Sequence, residues 1–170
     1  MQYTCDHPAP IAFDLNAYQG MWYMQSLSLD PYQTSLNDCV TANYHSVSGQ
    51  NFTVYNSFQR VLFGSSMTPR VGLDTPGSCQ TDGQCKIVHP EADMDRPNMK
   101  VIDTDYTSYS INYWCDDYSR FPRVWINTRS ASPSQAEYDQ IYAKMKALLP
   151  SFDDSKWMEP RLIQGSQCQY

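Results

Sequence analysis

Between Met21 and about Arg129 the chain is built from short stretches rich in Tyr, Val, Phe and Thr, separated by turn residues, and apolar side chains recur at every second position. A period of two puts alternate side chains on opposite faces of an extended strand, so this texture predicts β-sheet. Strands are expected from Met21 to Leu29, Cys39 to Val47, Phe52 to Arg60, about Val61 to Arg70, Lys86 to His89, Met99 to Thr104, Tyr109 to Asp116 and Arg123 to Ser130. Ser48-Gly49-Gln50-Asn51 has the composition of a hairpin connection, and Asp74-Thr75-Pro76-Gly77 that of another sharp loop. Sequential antiparallel pairing of about eight strands follows.

One segment breaks the pattern. Ser132 precedes Pro133, and Gln135 falls three residues after the serine, the signature of a capping box with proline at the first helical position. Tyr138, Ile141, Met145, Leu148 and Leu149 then recur at spacings of three and four, one apolar stripe, until Pro150 stops the helix. A meander of strands followed by one helix is an all-β plan: an eight-stranded antiparallel up-and-down barrel, closed so that no edge is exposed, with a C-terminal α-helix packed outside. At 170 residues the chain has the length of one domain, with the barrel over about 20–130, the helix over about 133–149 and a tail over 150–170.

Composition narrows the function. Eighteen Asp and Glu against twelve Lys and Arg leave a net charge of −6, so the cationic field that phosphate backbones require is missing and nucleic acid is excluded as a partner. No run approaches the roughly 18 apolar residues of a membrane span. The start, Met1-Gln2-Tyr3-Thr4-Cys5, has no apolar signal core. Six cysteines, none in a Cys-x-x-Cys pair, accompany a sequon at Asn51-Phe52-Thr53. An even cysteine count with an acceptor for N-glycosylation points to a secreted, disulfide-bonded protein, its leader removed and Met1 an added residue. Fifteen pairings of six cysteines are possible.

Gly20-Met21-Trp22-Tyr23 near the first strand, Thr104-Asp105-Tyr106 between two later strands and Arg129 at the end of the last resemble the three conserved segments of the lipocalin family. Asp30-Pro31-Tyr32-Gln33, Tyr44, the stretch from Phe52 to Asn56, the stretch from Tyr113 to Tyr118, and the tail Gln164-Gly165-Ser166-Gln167-Cys168 extend the likeness over nearly the whole chain, most weakly from Val61 to Pro97. Within the family these features look like the apolipoprotein D branch, and in it the crustacyanin-type carotenoid-binding subunits. The resemblance implies that Gly20, Trp22, Asp105 and Arg129 form the closed end of the barrel, the guanidinium stacked on the indole as a plug. It also implies disulfides joining Cys5 to Cys115 and Cys39 to Cys168, which leaves Cys79 and Cys85 to each other.

If Cys39 and Cys115 point outward, alternation turns Val40, Ala42 and Tyr44 inward on one strand and Ser110, Asn112 and Trp114 inward on another. Phe52, Val54, Asn56 and Phe58 share one face of the third strand. With Lys86 and Lys100 solvated, Ile87, His89, Met99 and Val101 also face in. Such a lining, apolar with a few polar groups, suits one small hydrophobic molecule carrying one or two oxygens. The same residues at strand spacing would equally fill a solid core. The resemblance implies a hollow barrel and a carotenoid such as astaxanthin; biliverdin or a fatty acid or sterol is the alternative. An extended polyene exceeds the depth of such a barrel, so a second related subunit, in a homo- or heterodimer, is expected over the open mouth.

Catalysis ranks lower. His7, His45 and His89 lie in separate regions, and no nucleophile elbow, His-Glu-x-x-His, phosphate loop or dinucleotide fingerprint appears. The adjacent acids Asp116 and Asp117, and Asp153 and Asp154, read as solvated loop residues. Outward-bridging cysteines leave no thiolate inside the barrel. Haem held by an inward His45 or His89 stays open as a minor alternative, and no metal site is expected.

Overall fold

The structure, a computed structural model, describes residues 4–28, 37–60, 67–88, 96–116, 122–158 and 160–170, with Trp157 described in its backbone alone. A single helical turn, α1 (Leu15–Tyr18), leads into β1 (Gly20–Leu27), β2 (Asn37–Ser48), β3 (Asn51–Arg60), β4 (Val71–Cys79), β5 (Gln84–Ile87), β6 (Met99–Thr104), β7 (Tyr109–Trp114) and β8 (Arg123–Thr128). Each strand pairs antiparallel with the next, and β8 returns to β1, closing the eight-stranded barrel. The helix α2 (Gln135–Leu148) and a further turn, α3 (Asp154–Trp157), follow.

Closure divides the apolar residues into two clusters. Inside lie Phe13, Leu15, Tyr18, Trp22, Tyr44, Phe52, Val54, Cys79, Cys85, Met99 and Val101. Outside, Ile102, Ile111, Tyr113, Val124 and Ile126 meet Ile141 and Met145 of α2 together with Leu149 and Phe152. Strands β6 to β8 are therefore covered on both faces, which fixes where α2 lies. Burying side chains such as Ile141 and Met145 contributes roughly 1.5–3 kcal/mol each.

The helix starts two residues later than Ser132 would place it. Ser134 is the N-cap: its Oγ accepts from the Glu137 N–H at 3.2 Å, and the Glu137 carboxylate accepts from the Ser134 N–H at 2.7 Å. Both serines fit the capping spacing, but only the later one is followed by a carboxylate, which also complements the positive end of the helix dipole. Pro133 thus precedes the cap, and its carbonyl accepts from Arg161 at 3.1 Å.

The hairpin at Ser48 to Asn51 forms, with Gly49 in the left-handed region at φ 61° and Ser48 paired to Asn51. The second loop does not. Asp74, Thr75, Pro76 and Gly77 all lie inside β4, whereas the expected fourth strand, about Val61 to Arg70, is no strand in its described part, and 61–66 fall outside the described residues. The glycines make room rather than turns: a Cβ on Gly77 would collide with the Phe52 ring, and one on Gly72 with the Tyr55 ring. Pro76 forgoes one donor, while its carbonyl accepts from the Val88 N–H at 2.9 Å. Nearby, β5 begins at Gln84, two residues ahead of Lys86, and His89 lies outside the described residues.

Candidate functional site

The two ends of the barrel differ. One is sealed by α1, which Asp14 initiates by accepting from the Asn16 and Ala17 N–H groups. Behind it the Arg129 guanidinium carbon sits 3.7 Å from the centre of the Trp22 ring. The same guanidinium donates to the carbonyls of Met21, Ala17, Tyr18, Gln19 and Tyr106 at 2.9–3.3 Å. Gly20, at φ 102°, carries its backbone past Arg129, where a Cβ would stand 3.1 Å from Nη1. The Trp22 indole N–H donates to the Tyr18 carbonyl at 2.9 Å. These residues hold one another by charge-assisted bonds and stacking, with the rings directed into the barrel as its floor.

Asp105 serves the same end differently. Its carboxylate accepts from the N–H groups of Thr107, Ser108 and Tyr109 at 2.8–3.1 Å and from the Ser108 hydroxyl, closing the β6–β7 turn. Burial raises its pKa, but the hydrogen bonds from Ser108, Tyr109 and Thr107 outweigh burial and hold it below the usual carboxylate range. A depressed acid stabilises the fold above its unfolded pKa, and that contribution disappears as pH falls through the folded value. Asp105→Asn is therefore expected to be less stable than the parent at neutral pH. Melting curves should show the gap narrowing below about pH 4; a gap independent of pH would remove the carboxylate from this role.

Cross-strand partners share a face, so the register traces the inner wall rung by rung. One rung runs Trp22, Ala42, Asn56, Leu73 across β1 to β4. Above and below it lie Tyr44, Val54 and Thr75, and then Phe52, Gly77 and Ile87. Cys79, Cys85 and Met99 form another rung, as do Val101, Asn112 and Trp125. Strand tilt makes a rung climb around the barrel. Trp22 is 1% exposed at the floor, while Leu73 on its rung is 60% exposed and Val71, opposite Phe58, is 51% exposed. Apolar side chains that are buried at one end of the wall are open to solvent at the other.

Of the sequence-derived lining, Ala42, Tyr44, Phe52, Val54, Ile87, Met99 and Val101 belong to the inner cluster. Ser110 and Asn112 are buried beside them. Phe58 and Trp114 are half-buried, the Trp114 indole donating to Asp116 at 3.1 Å, and Asn56 is exposed. Val40 sits within the irregularity between Asp38 and Thr41, where Cys39 takes φ 55°, and its carbonyl accepts from Gln164. Asn51 is exposed at the start of β3.

The disulfides are Cys5–Cys115, Cys39–Cys168 and Cys79–Cys85. The third is not outward: Cys79 and Cys85 are buried among Val54, Met99 and Val101 inside the barrel, although no thiol is free. The periodicity had no means of revealing this, because a cross-strand pair joins two inward positions as readily as two outward ones. Tyr18 also escaped sequence reasoning. It stands in a four-residue turn too short to show a period, and the Asp14 N-cap was its one signal. Its hydroxyl lies 2.8 Å from Ser110 Oγ and 3.3 Å from Asn112. Burial raises its pKa against these hydrogen bonds. Val71, Leu73 and Thr75 were missed although they alternate, because Pro76 and the glycines masked the strand.

Outside the barrel, His45 pairs with Asp74 at 2.9 Å, both largely solvated. Among the described residues no three His, Cys, Asp or Glu side chains are grouped to hold a metal ion, and no helix is long and apolar enough to cross a membrane.

No model of a known protein family matches the chain. The crustacyanin-A1 subunit of Homarus gammarus is 26% identical over 163 residues, covering 91% of this chain and 81% of that protein. The Lazarillo protein of Schistocerca americana is 28% identical over 148 residues, covering 84% and 68%. Insecticyanin from the tobacco hornworm Manduca sexta superposes with a TM-score of 0.72 at 22% identity, over 100% of this chain and 92% of the other. Lobster apocrustacyanin A1 gives 0.69 at 19% identity, over 99% and 94%. At these identities the two superpositions speak to fold alone.

Proposed function

This chain is a lipocalin in fold and crustacyanin-like in sequence, and on that premise we propose that it is a secreted carrier holding one small hydrophobic ligand in the barrel, a carotenoid such as astaxanthin. The observation that supports it most directly is the inner wall. Thr75 is buried, while Leu73 and Val71 on the same face of β4 are more than half exposed. Solvent contact at inward apolar positions is costly, about 25 cal/mol per Å², and a greasy occupant relieves it. Retention rather than turnover is the task, because among the described residues the inner wall offers rings, aliphatic chains, hydroxyls and amides, and its cysteines are joined in a disulfide. A polyene longer than the barrel protrudes past Leu73 and Val71, and a related subunit seated there covers it.

The test is mass spectrometry of an organic extract of protein isolated from its source, with an absorbance spectrum. A carotenoid whose visible band is displaced from that of the free pigment is the expected result. Biliverdin would show near-ultraviolet and red bands and move the assignment to a bilin. Fatty acid or sterol alone would defeat the pigment assignment while leaving a lipid carrier. Trp114→Ala is expected to weaken retention about tenfold and leave the melting temperature within a few degrees, since the indole is half-buried on the upper wall. Equal affinity in a binding titration would take Trp114 out of the site.

A further inference from the structure

On the outer wall one cation is held without a counter-charge. Tyr23, Thr41, Ser57 and Gly72 form a rung across β1 to β4, on the face opposite Trp22, Ala42, Asn56 and Leu73. Arg70, the residue before β4, reaches onto this rung: its Nε donates to Ser57 Oγ at 2.9 Å and its Nη2 to Thr41 Oγ1 at 2.5 Å. Thr41 and Ser57 are buried, and their hydroxyls lie 2.9 Å from each other. They meet one edge of the guanidinium, and they are neutral.

The rest of the group is unmet. Nη1 is shielded from solvent and has no hydrogen-bond partner, and among the described residues no carboxylate pairs with Arg70. A guanidinium carries five N–H donors in one plane, so the edge made by Nη1 and Nη2 stays open as a second two-pronged donor. Phenols surround it. The Tyr170 ring covers the guanidinium carbon at 5.3 Å, and Tyr23 and Tyr55 lie near enough to act on its charge. Burial lowers the Arg70 pKa, and the three phenols offset this only in part. A cation that loses its hydration with no anion in return is costly, and an orphaned buried donor calls for a cause, such as an ion that belongs there.

We propose that Arg70 is the base of an anion site on the outer wall, taking a small oxyanion (a carboxylate, sulfate or phosphate) whose two oxygens meet Nη1 and Nη2 end-on. Such a paired contact is charge-assisted and geometrically matched, which a single-centred halide cannot equal. Tyr170 is the lid. It is 51% exposed, its ring packs edge-on against Tyr23 at 4.9 Å, and its hydroxyl accepts from the Gly165 N–H at 2.7 Å and donates to Gln164 at 2.5 Å. Cys168 is tied to Cys39, so Tyr170 can swing away from Nη1 while the tail stays anchored. The site lies outside the barrel and is independent of any ligand held within.

Arginine Nε–H spectra of the nitrogen-15-labelled protein test this, with sodium chloride replaced stepwise by sodium phosphate, sulfate or acetate at constant ionic strength. Arg70→Lys identifies the Arg70 signal by its loss. The expected result is a saturating shift of that signal with at least one oxyanion, the tightest of the three naming the guest. The same anion should raise the melting temperature of the parent more than that of Arg70→Gln. Sulfate and phosphate strengthen burial in any protein, so the variant supplies the baseline, and equal slopes overturn the site. Tyr170→Ala removes the lid and keeps every donor. It should tighten binding about three- to tenfold, because the ring contact with Tyr23 no longer has to be broken. A signal that drifts without saturating in all three anions, or a Tyr170→Ala affinity no better than that of the parent, overturns the proposal. Should Arg70→Gln fail to fold, the parent's spectra and the Tyr170→Ala comparison decide by themselves.

Discussion

Arg129→Ala should lower the stability of the protein by about 3–5 kcal/mol, roughly 10 °C in melting temperature for a chain of this length. The guanidinium satisfies carbonyls at Ala17, Tyr18, Gln19, Met21 and Tyr106 and covers the Trp22 ring at 3.7 Å. A stacked cation contributes roughly 0.5–2 kcal/mol, and each bond to a charged donor about 1.5 kcal/mol or more before solvent competes for the exposed ones. Lysine cannot substitute, since one ammonium lacks the planar fork that reaches two chain segments at once. Ligand affinity, measured below the melting transition, should fall far less than for Trp114→Ala, because Arg129 lies behind the floor. A variant that keeps its melting temperature but loses ligand would reverse the two assignments.

Removing the Cys39–Cys168 bridge by the paired serine substitutions should cost a comparable amount. The bridge closes a loop of 129 residues, for which the chain-entropy model gives about 5 kcal/mol. The tail has other holds: Ile163 N–H donates to Asp38 at 2.6 Å, Leu162 N–H to the Gln25 carbonyl at 2.9 Å, and Gln164 Nε2 to the Met24 and Val40 carbonyls at 2.8 and 2.7 Å. These bonds keep the tail docked in the native state, so the loss arises in the unfolded chain and appears as a lower denaturant midpoint. Hydrogen exchange of the native tail should change little. An unfolding free energy within about 0.5 kcal/mol of the parent would show that the unfolded chain was already compact around this loop.

Much of the barrel was legible because strand alternation is a local property that needs no partner to be seen. The same holds for the Gly49 turn and for the apolar stripe of α2. The misjudged fourth strand has a tertiary cause. Gly72, Gly77 and Pro76 are turn residues in most contexts, but here the Phe52 and Tyr55 rings of the neighbouring strand occupy the space that side chains would need. No local pattern carries that information. Ser132 and Ser134 offer equivalent caps by spacing, and the Glu137 carboxylate chooses between them.

Of the candidate site, the inward set around Tyr44, Phe52, Val54, Met99 and Val101 was drawn from alternation with two assumptions, that Cys39 and Cys115 point outward and that Lys86 and Lys100 are solvated. Which face is inside is itself a tertiary fact. The bulge at Cys39 and the irregularity between Val101 and Asp103 shift the register locally, and a shift of one residue exchanges the faces of a strand.

Taken alone, the amino-acid sequence determined that this chain makes short antiparallel strands and one amphipathic helix, and that it has aromatic and aliphatic side chains enough for two apolar faces. Only closure of the barrel decided that Tyr18 enters from a helical turn, that Cys79 and Cys85 join inside the wall, and that Arg70 meets Thr41 and Ser57 outside it. Local structure depends on residues adjacent in the chain, whereas these contacts join positions 6 to 94 residues apart, brought together when the sheet curls on itself.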